Sequence, residues 1–381
     1  MRTPSFQTLH LGRGGPIDGQ QRQLLYLTTG LSNHGKPPVV IIDGAGPLNV
    51  ELRGCGINTH VHPMSPWRTF SRIFKRYVDA RRLLNLTLPL DLRVVHAHDV
   101  WRAEYARFIA RRRGVPYVVH VRGPLSARDI QKHRLKLTDA IIAIAQRYVD
   151  GLIAAGIDRE RIALIDDAVD LSLFNPSVAR PTPALDALLP RGTPVIGFVG
   201  RISPFKRVCE FLDIAAKLPA FTQTRPAILV IGDVEDEAYA RQVNATVRRL
   251  GLSQQVLFIG RQNAEAMPHV LAVLDLLVTL SGGSVMFEAM AMGKTVLSIR
   301  ADGQHSRHTR HDETAWCLDT EDPLVCAREL ARLIDDGELR QRLGTAAREC
   351  VLNHLSIETM VNKTIALYDR IVVARNPADS G

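Results

Sequence analysis

Cysteine is scarce in this chain: Cys55, Cys209, Cys317, Cys326 and Cys350 are the five in 381 residues. An odd, scattered set excludes a disulfide framework and a zinc ribbon, and it points to a reducing cytosol. Long apolar runs are missing too; none approaches the ~18–20 residues that a membrane span needs. The opening stretch MRTPSFQTLHLGRGGPIDG lacks the apolar core and small-residue cleavage site of a secretory signal. A cytoplasmic location is therefore expected. No 20-to-50-residue repeat appears, which excludes solenoids and propellers. No recognised nucleic-acid-binding module appears either, so nucleic acid is not expected as a partner.

What is present is an ordinary globular composition, 46% hydrophobic and 23% charged. The length suggests two domains. The charge is uneven. Residues 1–178 carry 25 Lys and Arg against 15 Asp and Glu, while the whole chain has a net charge of +9. The entire basic excess thus sits in the first half, which suggests that this half meets an anionic surface or polyanion.

Short β-branched runs alternate with helical patterns throughout. PVVIID, RVVHAH, PYVVHV, AIIAIA and RIALID read as buried parallel strands of the first half. PVIGFVG, AILVIGD, QVLFIG, LDLLVTL and KTVLSIR read likewise in the second. The pattern predicts an α/β protein with two parallel-sheet domains, at 1–178 and 190–354. The proline-rich stretch 175–194 reads as a linker. The helical pattern at about 355–373 is a candidate to pack back on the first domain. In such sheets ligands bind beyond the carboxyl ends of the strands, so the loops there matter most.

Two of these loops suit an anion. After VIGFVG comes RISPFKR, with Pro204 at an early helical position, so Arg201, Lys206 and Arg207 are expected to crowd a helix N-terminus. That end is already partly positive, and an arriving phosphate reverses the sign of the unfavourable term. After LDLLVTL comes SGGSVMFEAMAMG. Gly282 and Gly283 admit close backbone approach, the next helix start offers N–H donors, and Glu288 follows one turn in. Glu288 suits acceptance from a ribose diol, with simple complementation of the helix N-terminus as the alternative.

GRISPFKR, LIAAGIDRERIALIDDAVDLSLF, VLFIGRQNAEAMPHVLAVLDLLVTL and FEAMAMGKTVLSI, in this order, resemble the retaining glycosyltransferases of the GT-B fold, family 4. GRGGPIDGQQRQLLYLTTGL near the start resembles the glycine loop and first helix of that family. The resemblance runs from about Gly12 to Asp322. It implies two Rossmann-like domains facing a cleft, the first binding an acceptor and the second a nucleotide-sugar donor. It further implies that Arg201 and Lys206 bind the diphosphate and that Glu288 binds the ribose. Gly282, Gly283, Ser284 and Val285 would offer backbone donors, Gly260 and Arg261 would lie by the base, and Gly14 and Gly15 near the phosphate or transferred sugar. No metal or cofactor is expected, because cations and helix N-termini stabilise the leaving diphosphate.

The sequence departs from the family at three places. The usual motif is Glu, seven residues, then Glu; counting back from Glu288 gives Leu280. Either backbone with Ser281 or Ser284 replaces the first carboxylate, another carboxylate substitutes, or activity is weak or absent. The family's usual His before the glycine in HVRGP is Arg122, with His120 two residues earlier on the same side of a strand. Arg122 would bind a donor phosphate or acidic acceptor, or pair with Asp99 or Asp129. IDDAVD stands where proline-asparagine-glycine is usual, which puts the turn in question.

Two His-x-His pairs, His60/His62 and His96/His98, share strand faces, but no Cys or third ligand is spaced to complete a metal site, so structural roles are expected. Asp99 and Trp101 are candidates to line the acceptor cleft. His305, His308 and His311 are expected on a solvated loop. Residues 66–84 hold six basic side chains and one acid, Asp79, with Trp67, Phe70, Phe74 and Tyr77 at helical spacing. This fits an interfacial helix against anionic lipid, or a stripe packed on the sheet. The expected activity is transfer of a hexose from a nucleotide diphosphate sugar to a cell-envelope, polysaccharide or lipid-linked acceptor, such as lipopolysaccharide, with peripheral attachment at the inner membrane face. A nucleotide-sugar-binding protein without transfer activity and a sugar-nucleotide epimerase are the alternatives.

Overall fold

In the computed structural model, which describes residues 7–66 and 73–375, the chain forms two compact units. The first comprises the chain up to Ala168 together with the segment from Ile357 on; the second is Val169–Ser356.

The first unit is built on a seven-stranded parallel sheet. Its strands are β1 (Gln7–Gly12), β2 (Pro38–Ile42), β3 (Asn58–Val61), β4 (Leu92–Ala97), β5 (Tyr117–Val121), β6 (Ala140–Ala143) and β7 (Ile162–Leu164), in the order β3-β2-β1-β4-β5-β6-β7. The order reverses between β1 and β4, which opens a crevice at their carboxyl ends. Leu9 and Leu11 of β1 join one core with Val95 and Ile109. The other sheet face is covered by the helices Gly19–Asn33 and Ile357–Arg375, whose Leu27, Leu31, Val361 and Tyr368 pack on Val94 and Val118. Gly30 marks their crossing: a Cβ there would stand 2.3 Å from Val361 Cγ2. Lys36 and Asp369, 3.2 Å apart, tie the same helix to the chain that follows the first one.

The second unit carries a six-stranded parallel sheet: β8 (Val195–Val199), β9 (Ala227–Ile231), β10 (Val256–Gly260), β11 (Leu276–Thr279), β12 (Thr295–Ile299) and β13 (Trp316–Leu318), ordered β10-β9-β8-β11-β12-β13. Its switch point lies between β8 and β11. The stretch 175–194 is no linker. Phe174, Ala179 and Leu185 are buried in a core with Leu229, Leu277 and Met290, so the chain changes unit at 168/169 instead. Apolar side chains are spaced too irregularly there to show a period, yet two of them, Ala179 and Leu185, reach the core just after Phe174 does.

Candidate functional site

The loops after β8 and β11 stand side by side at the switch point of the second sheet. After β8, Pro204–Lys206 makes a single 3₁₀ turn, and the helix starts only at Val208, with Arg207 as its N-cap in the left-handed region at φ 65°. The helix thus begins four residues later than Pro204 suggested, because a left-handed Arg207 breaks the helical run. The three cations still precede it, but two are paired. Arg207 holds Glu321 with both guanidinium nitrogens, one at 2.7 Å, and Glu210 at 3.2 Å. Arg201, well exposed, pairs with Glu235. Lys206 instead reaches Nζ to the Gly282 carbonyl at 3.5 Å. Burial pulls its ammonium below the ordinary lysine range, Arg201 adds to this, and Glu235 opposes it.

After β11, the Thr279 hydroxyl accepts the Gly282 N–H at 3.0 Å, so that donor is spent on the turn. Gly282 sits at φ 67°, a conformation that L side chains rarely adopt. Gly283 then caps the helix Ser284–Ala291, and no side chain caps its first turn. Ser284 and Val285 occupy that turn, half-buried, and Glu288 lies one turn on, also half-buried. Leu280 is 4% exposed and belongs to the core with Ile196, Val278 and Leu297. Its side chain packs inward, away from any ligand surface. Gly260 ends β10 at φ 67°, and Arg261 lies 3.7 Å from Asp233, both side chains more than half exposed.

The carboxyl ends of the first sheet carry a second polar cluster. Gly14 donates its N–H to Asp43 at 2.9 Å, and Gly15 follows at φ 97°. Asp43 also pairs with the buried Arg102. Asp99 caps the 3₁₀ turn Val100–Arg102, accepts from Arg102 Nη1 at 2.7 Å and from Gln20 at 3.2 Å. Asp43, Arg102 and Gln20 escaped the sequence reading; the one signal was Asp43 closing the run PVVIID before a glycine. Arg122 pairs with Asp167, neither of the two acids expected, and the IDDAVD departure therefore supplies the partner for the HVRGP departure. His120 is buried, and neither ring nitrogen has a partner.

The remaining histidines separate. His60 and His62 sit on and just after β3, His62 bonding the Pro63 carbonyl at 3.0 Å. His305 lies between Ser298 at 2.8 Å and Asp319 at 2.9 Å, and His308 is 6% exposed, so these two are packed, while His311 and most of the loop face solvent as expected. His96 and His98 meet a third histidine, His10 of β1, which the sequence did not bring to them. Of the basic aromatic stretch, Trp67 and Phe70 lie outside the described residues. In the helix Ile73–Thr87, Phe74 is 89% exposed, Tyr77 47% and Val78 45%, so that face is not packed on the sheet. Asp79 is turned inward and accepts the Ser65 N–H at 3.2 Å. Among the described residues no helix is long and apolar enough to cross a membrane.

Two parallel α/β sheets, each with its polar loops at a switch point, define a two-domain α/β class, and comparison with known proteins narrows it. The family model of glycosyl transferases group 1 matches residues 186–350, and that of glycosyltransferase family 4 matches residues 17–173. The chain belongs to the GT-B glycosyltransferases. It is 27% identical over 322 residues to D-inositol 3-phosphate glycosyltransferase of Salinispora arenicola, covering 75% of this chain and 70% of that one. It is 29% identical over 172 residues to N-acetyl-alpha-D-glucosaminyl L-malate synthase of Bacillus anthracis, 44% of each chain. In fold it is similar to a glycosyltransferase from Rickettsia africae (TM-score 0.83, 17% identity, 97% of this chain and 99% of that one). It is also similar to Anabaena HepE solved with UDP and glucose (TM-score 0.80, 18% identity, 96% and 99%).

Proposed function

We propose that this glycosyltransferase moves a hexose, with retention, from a nucleoside diphosphate sugar to a hydroxyl of a cell-envelope or polysaccharide acceptor. The observation that carries the reading is Lys206. A desolvated ammonium is costly without an anion, yet this one is held against the Gly282 carbonyl beside the uncapped start of the helix Ser284–Ala291. A diphosphate placed there gains the cation, Arg201 once it leaves Glu235, and the first-turn N–H groups of Ser284 and Val285. Those donors stabilise the charge that develops on the leaving oxygen, so no metal is required for that step.

Glu288 is assigned to the ribose hydroxyls, and Gly260 and Arg261 to the surroundings of the base. Because Leu280 is packed in the core, contacts to the sugar fall to the backbone of 282–285 and to Ser281 and Ser284. The acceptor hydroxyl attacks from the leaving group's side, with a diphosphate oxygen taking its proton. In the first unit, Asp99, His120 and Arg122 are assigned to the acceptor side, and the glycines at 14 and 15 to the donor phosphate or transferred sugar. UDP named with the Anabaena neighbour, and the sugar-transferring relatives, favour a nucleotide-sugar donor over other nucleotides.

The test is a calorimetric titration with UDP, GDP and ADP, repeated on Arg201→Ala, followed by donor turnover on Glu288→Ala. Binding of one nucleotide, weakened at least about tenfold by the loss of Arg201, is expected; loss of one charged phosphate contact is worth roughly 1.5–3 kcal/mol. Donor consumption that survives unchanged in Glu288→Ala overturns the assignment of that carboxylate. Isomer formation without any acceptor would identify an epimerase instead.

A further inference from the structure

Four histidines meet on one face of the first sheet. His10 on β1 is in register with His96 on β4, and His98 follows two residues later on the same side. His10, His96 and His98 are each no more than 1% exposed, and one ring nitrogen from each lies within 4.8 Å of the others. His120 of β5 stacks on His96 with ring centroids 5.5 Å apart. Buried imidazoles normally find partners. Here His96 Nε2, His98 Nδ1 and both nitrogens of His120 have none.

The partners that do exist leave a coherent set of lone pairs. Thr8 Oγ1 is 2.9 Å from His10 Nε2, and the Tyr368 hydroxyl is 2.7 Å from His96 Nδ1. With those nitrogens protonated, His10 Nδ1 and His96 Nε2 turn bare lone pairs to the interior. His98 Nε2 already lies 2.9 Å from His10 Nδ1. Two imidazole nitrogens bound to one tetrahedral ion stand roughly 3.3 Å apart; His10 and His98 are already near that spacing, and His96, whose nitrogen lies within 4.8 Å of theirs, closes on them when an ion binds. Metal-bound histidines are commonly oriented by a hydrogen bond from the far ring nitrogen to an oxygen acceptor, and here the Thr8 and Tyr368 hydroxyls stand in that place.

We propose that His10, His96 and His98 form a transition-metal site of the zinc type, oriented by Thr8 and Tyr368, with His120 beside it as a further donor. Imidazole donors without thiolate or carboxylate select zinc, copper, nickel or cobalt rather than magnesium or calcium. Asp167 neutralises the nearby Arg122, which lowers the repulsion a dication would meet. The ion would enter during folding, because the site is closed in the folded unit. Its role is to fasten β1, β4 and, through Tyr368, the helix Ile357–Arg375, independently of donor chemistry.

The experiment uses the full chain without a polyhistidine tag, refolded with Zn²⁺ or Co²⁺ and desalted. About one ion per chain, with an X-ray absorption shell of imidazole nitrogen near 2.0–2.1 Å, is expected. His10→Gln and His98→Gln should lose it, His60→Gln should keep it, and Tyr368→Phe should weaken affinity about 10- to 100-fold. Retention of neither metal by the wild-type chain overturns the proposal. So does retention unchanged in the folded His10→Gln and His98→Gln variants. If those variants fail to fold, the ligand shell of the wild-type Co²⁺ form decides: no imidazole nitrogen in it overturns the site.

Discussion

Lys206 carries the clearest consequence at the scale of a residue. Its ammonium is held below the ordinary lysine range by burial first and by Arg201 second. A bound diphosphate raises it again. At low pH the lysine is charged in both states and donor affinity is flat. As pH rises through the lowered value of the free protein, each binding event must take up a proton, and affinity falls by up to about tenfold per pH unit. Lys206→Arg, which stays charged, should flatten that fall in a nucleotide titration run across pH. Leu280 gives the opposite kind of result. Leu280→Glu would place a carboxylate in the core with Val278 and Leu297. It should cost roughly 2–5 kcal/mol in a denaturant melt, without raising turnover.

At the scale of the element, the crossing of the helices Gly19–Asn33 and Ile357–Arg375 depends on the missing side chain at Gly30. Gly30→Val should collide with Val361 and cost about 1–3 kcal/mol, with earlier proteolytic cleavage near the end of the chain. The strands that the sequence made legible, β2 and β4 to β12, all have at least two adjacent apolar residues. β1 was not, though it lies inside the sheet between β2 and β4. Its QTLHLG alternates Leu9 and Leu11 with Thr8 and His10, so it does not read as a strand buried on both faces. The same polar side chains hid the third histidine beside His96 and His98. β3 and β13 are short edge strands of four and three residues, too brief to show a period. Of the candidate site, the glycine loop, Glu288 and the cations were readable because they follow strong strands in order. Their ion-pair partners Glu235, Glu321 and Asp167 were not, because those contacts span 34, 114 and 45 residues of chain.

At the scale of the whole molecule, the basic excess of the first half and the exposed Phe74, Tyr77 and Val78 fit a helix that lies on an anionic membrane. Lys75, Arg81 and Arg82 are exposed on the same helix. Co-sedimentation with liposomes containing anionic lipid should exceed that with neutral ones and fall as salt rises from about 0.05 to 0.5 M. Phe74→Asp should weaken it further without changing nucleotide affinity. Equal binding to both lipids would remove the electrostatic part of this reading.

The discontinuity of the first unit bears on how the chain is made. Val169–Ser356 is one uninterrupted stretch and can close as soon as it leaves the ribosome. The first unit, although translated first, must wait. Its sheet is only partly covered over Val94 and Val118, by Tyr26, Leu27 and Leu31, until Met360, Val361, Leu367 and Tyr368 arrive. During that interval the nascent chain presents an apolar face to whatever is near, and the order of synthesis is the reverse of the order of completion.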